Sequence, residues 1–264
     1  MTAEHVPPRP DSLHRVPDTP SPPPRPDGSA RPVATWSWWE ALAVYLLAML
    51  LGSVVAVPVL GLIEDQDLED MLATIVVAVV TVGALLLWLN AAHPSWRGAV
   101  GFPGRGRWWA EVRSGIGFGL LLYPGMVFGV GLVLSLLLRA VSGEVVQTPE
   151  QVPPDLSAVG LAATALYAFV IAPIHEELFF RGILFRGVRD RYGLAAGLMA
   201  SGVGFSLIHY LDGPWQGTVL LMGVMFFNGI ALAWFYERRG NLVANLVAHS
   251  MFNVIGLALI LTIG

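Results

Sequence analysis

Seven long apolar stretches separated by short polar connections make up the chain after its first 35 residues. They cover residues 41–63, 71–92, 115–138, about 157–189, 194–211, 216–236 and 241–263. A helix of ~20 apolar residues spans the ~30 Å hydrocarbon core of a bilayer. A backbone in lipid must also satisfy its own hydrogen bonds, which helices do. The pattern therefore predicts an all-α, polytopic transmembrane helix bundle of about seven spans, within a domain covering residues 36–264.

The first 35 residues have a different composition. Ten of them are proline, mixed with Arg, Asp and Ser, and they lack the apolar run of a signal peptide. Such a segment cannot bury a core, so residues 1–35 are predicted to be a disordered tail. A docking segment for a proline-reading partner is the alternative. Trp36, Trp38 and Trp39 follow and are expected to mark a membrane interface.

Overall composition agrees with a membrane protein. The chain is 55% hydrophobic and 13% charged, with a mean hydropathy of +0.64. It contains no cysteine, which excludes disulfides, thiolate catalysis and cysteine metal sites.

The charges of the connections predict an orientation. Arginines occur in the tail, in residues 93–114, at the end of the fourth span and at 238–239, whereas residues 64–70, 140–157 and 210–216 carry acids. The excess of positive charge on cytoplasmic loops places the N-terminus in the cytoplasm and the C-terminus outside. Arg139 is the one basic residue on the opposite side.

The fourth span carries the most unusual charges. Glu176 and Glu177 are adjacent, so on a helix they point about 100° apart. Glu177 and Arg181 are four residues apart and share one face, in the favourable order of acid before base. We expect these two to form a buried ion pair that shapes the site and leaves Glu176 free. Pro173 is expected to bend this helix.

Two further spans carry polar side chains at intervals of four residues. Phe205 and His209 share a face of the fifth predicted span, and the seventh has a polar stripe formed by Asn241, Asn245, His249 and Asn253. Such a stripe usually faces a bundle interior or a water-filled cavity. Singly, His209 or Asn245 would more often connect helices than catalyse, and Asn228 and Asn245 are read as structural. His175 is left open between the two readings. Glu176, His209 and His249 reach similar depths only if the fourth helix continues to about Arg189.

These groups suit the activation of water. A glutamate can take a proton from water, and histidine and asparagine can donate hydrogen bonds to an oxyanion. Other intramembrane proteases require different motifs. The zinc motif His-Glu-x-x-His lacks its second histidine here, the rhomboid Gly-x-Ser-Gly has Met199 in the glycine position, and Gly-x-Gly-Asp is absent.

Three motifs in order resemble those of the CPBP family, which comprises CAAX prenyl endopeptidases of the Ras-converting type and bacteriocin-processing or immunity (Abi) proteins. The motifs are Glu176-Glu177-x-x-x-Arg181, Phe205-x-x-x-His209 and His249-x-x-x-Asn253. The resemblance covers about residues 155–264. It implies an intramembrane endopeptidase for a membrane-associated peptide or protein substrate.

The resemblance also implies a role for each matched position. Glu176 would activate water with help from His209, and His249 and Asn253 would hold the oxyanion. Glu177 and Arg181 would shape the site, and Phe205 would line it.

Several alternatives stay open at this point. A metal held by Glu176, His209 and His249 is conceivable, although no cofactor is required. The chain could also be a non-catalytic immunity or scaffolding protein on the same fold, or a proton-coupled transporter, although it shows no internal helical repeat. No nucleic-acid partner is expected.

Overall fold

The computed structural model describes residues 23, 24, 28, 30–104, 106–153 and 155–263. Most of the predicted tail, residues 1–22, 25–27 and 29, lies outside the described residues. Regular structure in the described part is entirely helical, which confirms the all-α prediction. Eight helices follow one another: α1 Trp38–Ala56, α2 Gln66–Ala92, α3 Trp96–Val100, α4 Trp108–Ser142, α5 Ala158–Tyr192, α6 Leu194–Ile208, α7 Trp215–Arg239 and α8 Leu242–Ile263.

Six of the described helices are long and apolar enough to cross a membrane, namely α1, α2, α4, α5, α7 and α8. The fifth predicted span, 194–211, ends earlier than expected. Its helix α6 has 15 residues, which extend ~22 Å at 1.5 Å per residue. Its last turn is broken because the side chain of His209 bonds the carbonyl of Phe205, while the backbone N–H of His209 bonds Ser206 instead.

Several helix ends differ from the hydropathy pattern because capping residues set them. α1 ends at Ala56, and Pro58 lies in a short 3-10 turn, Val57–Val59, rather than at a kink within a longer helix. The acidic run after it starts α2, since the side chain of Asp65 accepts a hydrogen bond from the N–H of Leu68. The predicted 93–114 loop contains α3 and the first turns of α4.

Charged side chains cluster at one end of the bundle, which we call the arginine end. Here Glu237 pairs with Arg31 at 3.2 Å and with Arg189 at 2.8 Å. Arg239 pairs with Glu111 at 2.8 Å. The opposite end, called the acidic end, joins Ser157 to Asp65 at 2.7 Å and Gln216 to Glu144 at 3.2 Å. The basic and acidic connections thus lie at opposite ends, and which end faces the cytoplasm stays a prediction.

Residues 31–37, the N-terminal strap, pack against the C-terminal half of α5. Asp190 accepts a hydrogen bond from the N–H of Ala34 at 2.9 Å, and Arg186 donates to the carbonyl of Pro32 at 2.7 Å. The indole of Trp36 donates to the carbonyl of Ile183 at 2.9 Å. The structure therefore differs from the predicted tail, because residues 31–35 are held in place. It also differs from the predicted interfacial tryptophan, because Trp36 is fully buried.

Two glycines let α4 approach α8 closely. A Cβ added to Gly115 would lie 2.5 Å from the carbonyl oxygen of Ala244, and one added to Gly119 would lie 2.7 Å from that of Ala248. Small residues at a helix interface permit such contact between backbones in membranes. The crossing positions α8, and with it His249 and Asn253, in the centre of the bundle.

Candidate active site

A cavity of about 560 Å³ lies inside the bundle. Glu176 of α5, His209 after α6, and His249 and Asn253 of α8 all line it, as does Phe205. Its remaining wall is mainly apolar and includes Tyr123, Val127, Leu220, Leu221, Val224 and Phe252. The four side chains expected to catalyse thus face one space, although they come from three separate parts of the chain.

Glu177 and Arg181 lie behind the cavity wall. Both are fully buried, and Nη1 of Arg181 is 2.9 Å from Oε1 of Glu177, so the ion pair expected from their spacing is present. The guanidinium of Arg181 also lies over the ring of Phe205, with its central carbon 4.4 Å from the ring centroid. Asn245 donates to Glu177 at 3.1 Å, in agreement with a structural role.

Glu176 points in a different direction from Glu177 and reaches the cavity. It is 6% exposed, and its Oε2 has no hydrogen-bond partner among the described residues. Nε2 of His249 lies 3.7 Å from Oε2. A buried carboxylate oxygen without a partner is available to a water molecule or a substrate.

The hydrogen bonds of the two histidines fix where their ring hydrogens lie. Nδ1 of His249 is 2.8 Å from Oε1 of Glu177, and a carboxylate only accepts, so Nδ1 donates. Nδ1 of His209 is 2.7 Å from the carbonyl of Phe205 and donates as well. In each ring Nε2 is then the nitrogen left for chemistry, as a lone pair in neutral imidazole or as a second donor in imidazolium.

Asn253 is held by a carbonyl that the helix itself leaves free. Its Nδ2 donates to the carbonyl of Ala168 at 2.7 Å. Ala168 lies in a π segment of α5, Tyr167–Ile171, in which Ala172 bonds the carbonyl five residues earlier. The residue five after Ala168 is Pro173, which has no N–H to donate. The amide of Asn253 takes its place and keeps one N–H of Nδ2 for the cavity.

The same π segment aligns the cavity wall of α5. Thr164, Ala168, Ala172 and Glu176 recur every four residues and all line the cavity. In a regular α-helix, Thr164 and Glu176 would point about 120° apart. A π turn absorbs one extra residue, which reduces this angle to about 20°. The sequence predicted a bend at Pro173, and the structure has this change of helical register beside it.

Other residues near the site were missed or left open by sequence reasoning. Tyr167 lines the cavity within electrostatic range of Glu176, yet its spacing from Glu176 matches no regular helical face. His175 does not line the cavity and stacks on Tyr45 of α1, with ring centroids 5.7 Å apart. Asn241 is not part of the site, since its side chain caps α8 by accepting from the N–H of Ala244.

The described residues contain no group of three or more His, Asp or Glu side chains arranged to hold a metal ion. The alternative ligand set of Glu176, His209 and His249 is therefore not gathered as metal ligands.

Comparison with known proteins agrees with the motif pattern. Residues 158–255 match the family model described as type II CAAX prenyl endopeptidase Rce1-like. The match begins at the first residue of α5 and contains all three motifs, which confirms the resemblance. Neither the comparison with curated proteins nor that with solved structures returned a match. With six long apolar helices among its described residues, the chain is an integral multi-pass membrane protein, and its residues 158–255 are similar to the Rce1-like CAAX protease family.

Proposed function

We propose that this protein is an intramembrane endopeptidase that cleaves a membrane-associated peptide with a water activated by Glu176. The observation that carries the proposal is the unpartnered carboxylate oxygen of Glu176 in the cavity that His209, His249 and Asn253 also line. One carboxylate, two imidazoles and one amide around one space supply both a base and donors for an oxyanion.

The reaction follows from these groups. Glu176 takes a proton from water, assisted by Nε2 of His209, and the water oxygen forms a bond to the carbonyl carbon of the substrate peptide. The carbonyl oxygen becomes an oxyanion that accepts hydrogen bonds from Asn253 and from the protonated Nε2 of His249. The C–N bond then breaks, and the proton returns to the leaving nitrogen. The products are a carboxylate and an amine.

The ion pair behind the wall supports this role of His249. For Nε2 to donate while Nδ1 donates to Glu177, the ring must be an imidazolium. Two carboxylates face that ring, Glu177 at 2.8 Å and Glu176 at 3.7 Å, and Arg181 balances one of them. The two carboxylates, the guanidinium and the imidazolium then have a net charge of zero. Burying the four together therefore costs less than burying any one of them alone.

The direct test compares Glu176→Gln and His209→Gln with wild type in proteoliposomes. The substrate is a fluorogenic library of membrane-anchored peptides, in which prenylated C-terminal CAAX peptides and their unprenylated counterparts are separate sets. We expect each variant to lose 10²- to 10⁴-fold in cleavage rate, as is usual for a general base. Glu150→Gln, an exposed acidic residue, is the control that keeps full activity.

Wild-type cleavage rates in both Glu176→Gln and His209→Gln would overturn the proposal. So would the failure of the wild-type protein to cleave any member of the library. The two peptide sets also separate a prenyl-dependent activity from a broader one, since the cavity wall is apolar but not otherwise specialised.

We also propose that the arginine end faces the cytoplasm. The support is the positive-inside bias of the loops gathered at that end. Because the chain has no cysteine, thiol labelling of a single introduced cysteine shows on which side of the membrane that residue lies. In intact cells, an impermeant thiol reagent should label Glu144→Cys and leave Arg97→Cys unlabelled. The reverse pattern would contradict this orientation.

A further inference from the structure

Besides Glu176, two uncharged side chains that line the cavity each have a buried oxygen without a hydrogen-bond partner among the described residues. Asn228 of α7 is 1% exposed, and its Oδ1 is unpartnered. Thr164 of α5 is 7% exposed, and its Oγ1 is unpartnered. Both line the cavity that contains Glu176. Buried polar groups are nearly always bonded, so two in one cavity require an explanation.

Comparison with similar side chains in the same protein makes the two exceptional. Thr74, Thr262 and Ser53 each donate to the carbonyl four residues earlier, the usual arrangement of a hydroxyl in a helix. Thr164 does not. Asn253, which lines the same cavity, donates through its Nδ2 to the carbonyl of Ala168. Oδ1 of Asn228, by contrast, has no partner among the described residues.

We propose that Asn228 and Thr164 bind the main chain of the peptide substrate, an inference that rests on the proposed function. An amide and a hydroxyl are uncharged and can each donate and accept, which matches peptide N–H and C=O groups better than a carboxylate or a phosphate. In a helical segment those groups already bond within the helix. Asn228 and Thr164 therefore select a substrate segment that is extended inside the cavity.

The distance along α5 sets the length of that segment. Thr164 precedes Glu176 by 12 residues on the same stripe, which is ~18 Å at 1.5 Å per residue. An extended peptide advances ~3.3 Å per residue, so this distance corresponds to about five substrate residues. Thr164 then contacts the substrate about five residues from the scissile bond, on the side that points to the acidic end of the bundle.

A substrate-binding role and a structural role predict different results for the same substitutions. If Asn228 only supported the fold, its replacement would change stability and leave substrate affinity unchanged. If it binds substrate, Asn228→Leu removes an unpaired amide from an apolar wall, so thermal stability is kept or raised while KM increases. Thr164→Val preserves shape and removes only the hydroxyl, so the same contrast applies to it.

The experiment measures binding and cleavage separately. The probe is a fluorescein-labelled peptide with a membrane-compatible apolar segment and a prenylated CAAX terminus. Its Kd is measured by anisotropy on Glu176→Gln protein with and without Asn228→Leu or Thr164→Val. Its KM and kcat are measured on the same substitutions in the otherwise wild-type chain. Ser201→Ala and Thr81→Val are matched controls, because both residues are fully buried, bonded to the protein and outside the cavity.

We expect Kd and KM to rise roughly five- to tenfold for each cavity variant, the usual effect of one lost hydrogen bond between neutral groups, with kcat within about twofold. The controls should leave both constants unchanged. Wild-type Kd and KM in both cavity variants, or no binding of the probe, would overturn the inference. If binding behaves as expected but Glu176→Gln still cleaves, the proposed function fails and the binding inference stands.

Discussion

The two halves of α5 have opposite surroundings. From His175 to Asp190 every residue is buried, and the side chains are held by the strap, by α6 and by α7. From Ala158 to Ile171 buried, partly buried and exposed residues alternate, and the inner side faces the cavity. Glu176 lies at the boundary between these halves. One half fixes the position of the carboxylate, and the other provides the space in which it can react.

This difference separates residues that stabilise the fold from residues that act on a substrate, even when they are neighbours. Glu177 is bonded to three side chains of the protein, whereas Oε2 of Glu176 has no hydrogen-bond partner among the described residues. Substitutions in the buried half should therefore lower stability, and substitutions at the cavity should lower activity.

The largest effect is expected from Arg181→Met. It leaves Glu177 as an uncompensated buried charge, which typically costs about 3–5 kcal/mol. The Tm of the variant, measured by thermal unfolding in detergent, should be much lower than that of wild type. Adding Glu177→Gln removes that charge and should recover much of the stability while activity stays low, because His249 loses its carboxylate partner. An unchanged Tm in Arg181→Met would contradict the conclusion that the buried half of α5 stabilises the fold.

Asn253→Ala should lower activity more than stability. Loss of one oxyanion donor reduces kcat about 10²- to 10³-fold, or roughly 2.7–4 kcal/mol of transition-state stabilisation. KM should stay close to the wild-type value. Asn90→Ala is the control, since Asn90 also donates to a helix carbonyl but lies on the exposed side of α2. If Asn253→Ala instead lowers Tm and raises KM while kcat stays at the wild-type value, Asn253 is structural.

Trp36→Phe tests whether the strap stabilises the buried half. The hydrogen bond to Ile183 is lost, which corresponds to about 1 kcal/mol, and the smaller phenyl ring also gives up part of the buried packing of the indole. Tm should fall, and kcat should not. Trp39→Phe, at a tryptophan that is 63% exposed, should leave both unchanged. An equal fall in Tm for the two variants would place the effect in the lipid interface rather than in the strap.

The smallest effect is expected at Asp65, at the acidic end. The hydrogen bond from Ser157, and then that from the N–H of Leu68, lower the pKa of Asp65 below its ordinary value of 3.8. A lowered pKa stabilises the folded state above the unfolded-state pKa, and this contribution is lost as the pH falls through the folded-state value. Asp65→Asn should therefore lower Tm slightly at pH 7, and the difference from wild type should shrink as the pH falls below 3.8. A difference in Tm that does not shrink in acid would contradict the linkage.

Much of the site could be predicted because helical geometry is local. The 100° between Glu176 and Glu177, and the four-residue spacing of Glu177 and Arg181, gave the ion pair and the free carboxylate. Glu176 and His249 can lie at similar depths only if the fourth predicted helix continues to about Arg189, and α5 does extend to Tyr192. The three motifs gave the family, which the match over residues 158–255 confirms.

The remaining features depend on contacts between distant residues. Trp36 is buried because its indole reaches Ile183, which is 147 residues away in the chain. Its local composition resembles that of an interfacial segment. Asn228 has the sequence context of an interhelical contact, and only the structure shows that it lines the cavity with an Oδ1 that has no partner among the described residues. The π segment at Tyr167–Ile171 leaves no mark on an apolar sequence except Pro173 two residues later.

That π segment makes the length of α5 as important as its composition. Losing or gaining one residue between Ala168 and Glu176 while the π turn persists would rotate every side chain before the change by about 100° relative to Glu176. Ala168 would then present its carbonyl elsewhere, and Asn253 would lose its anchor. Point substitutions among these apolar residues should be tolerated where insertions and deletions are not. The function of this segment therefore depends on the number of its residues more than on their side chains.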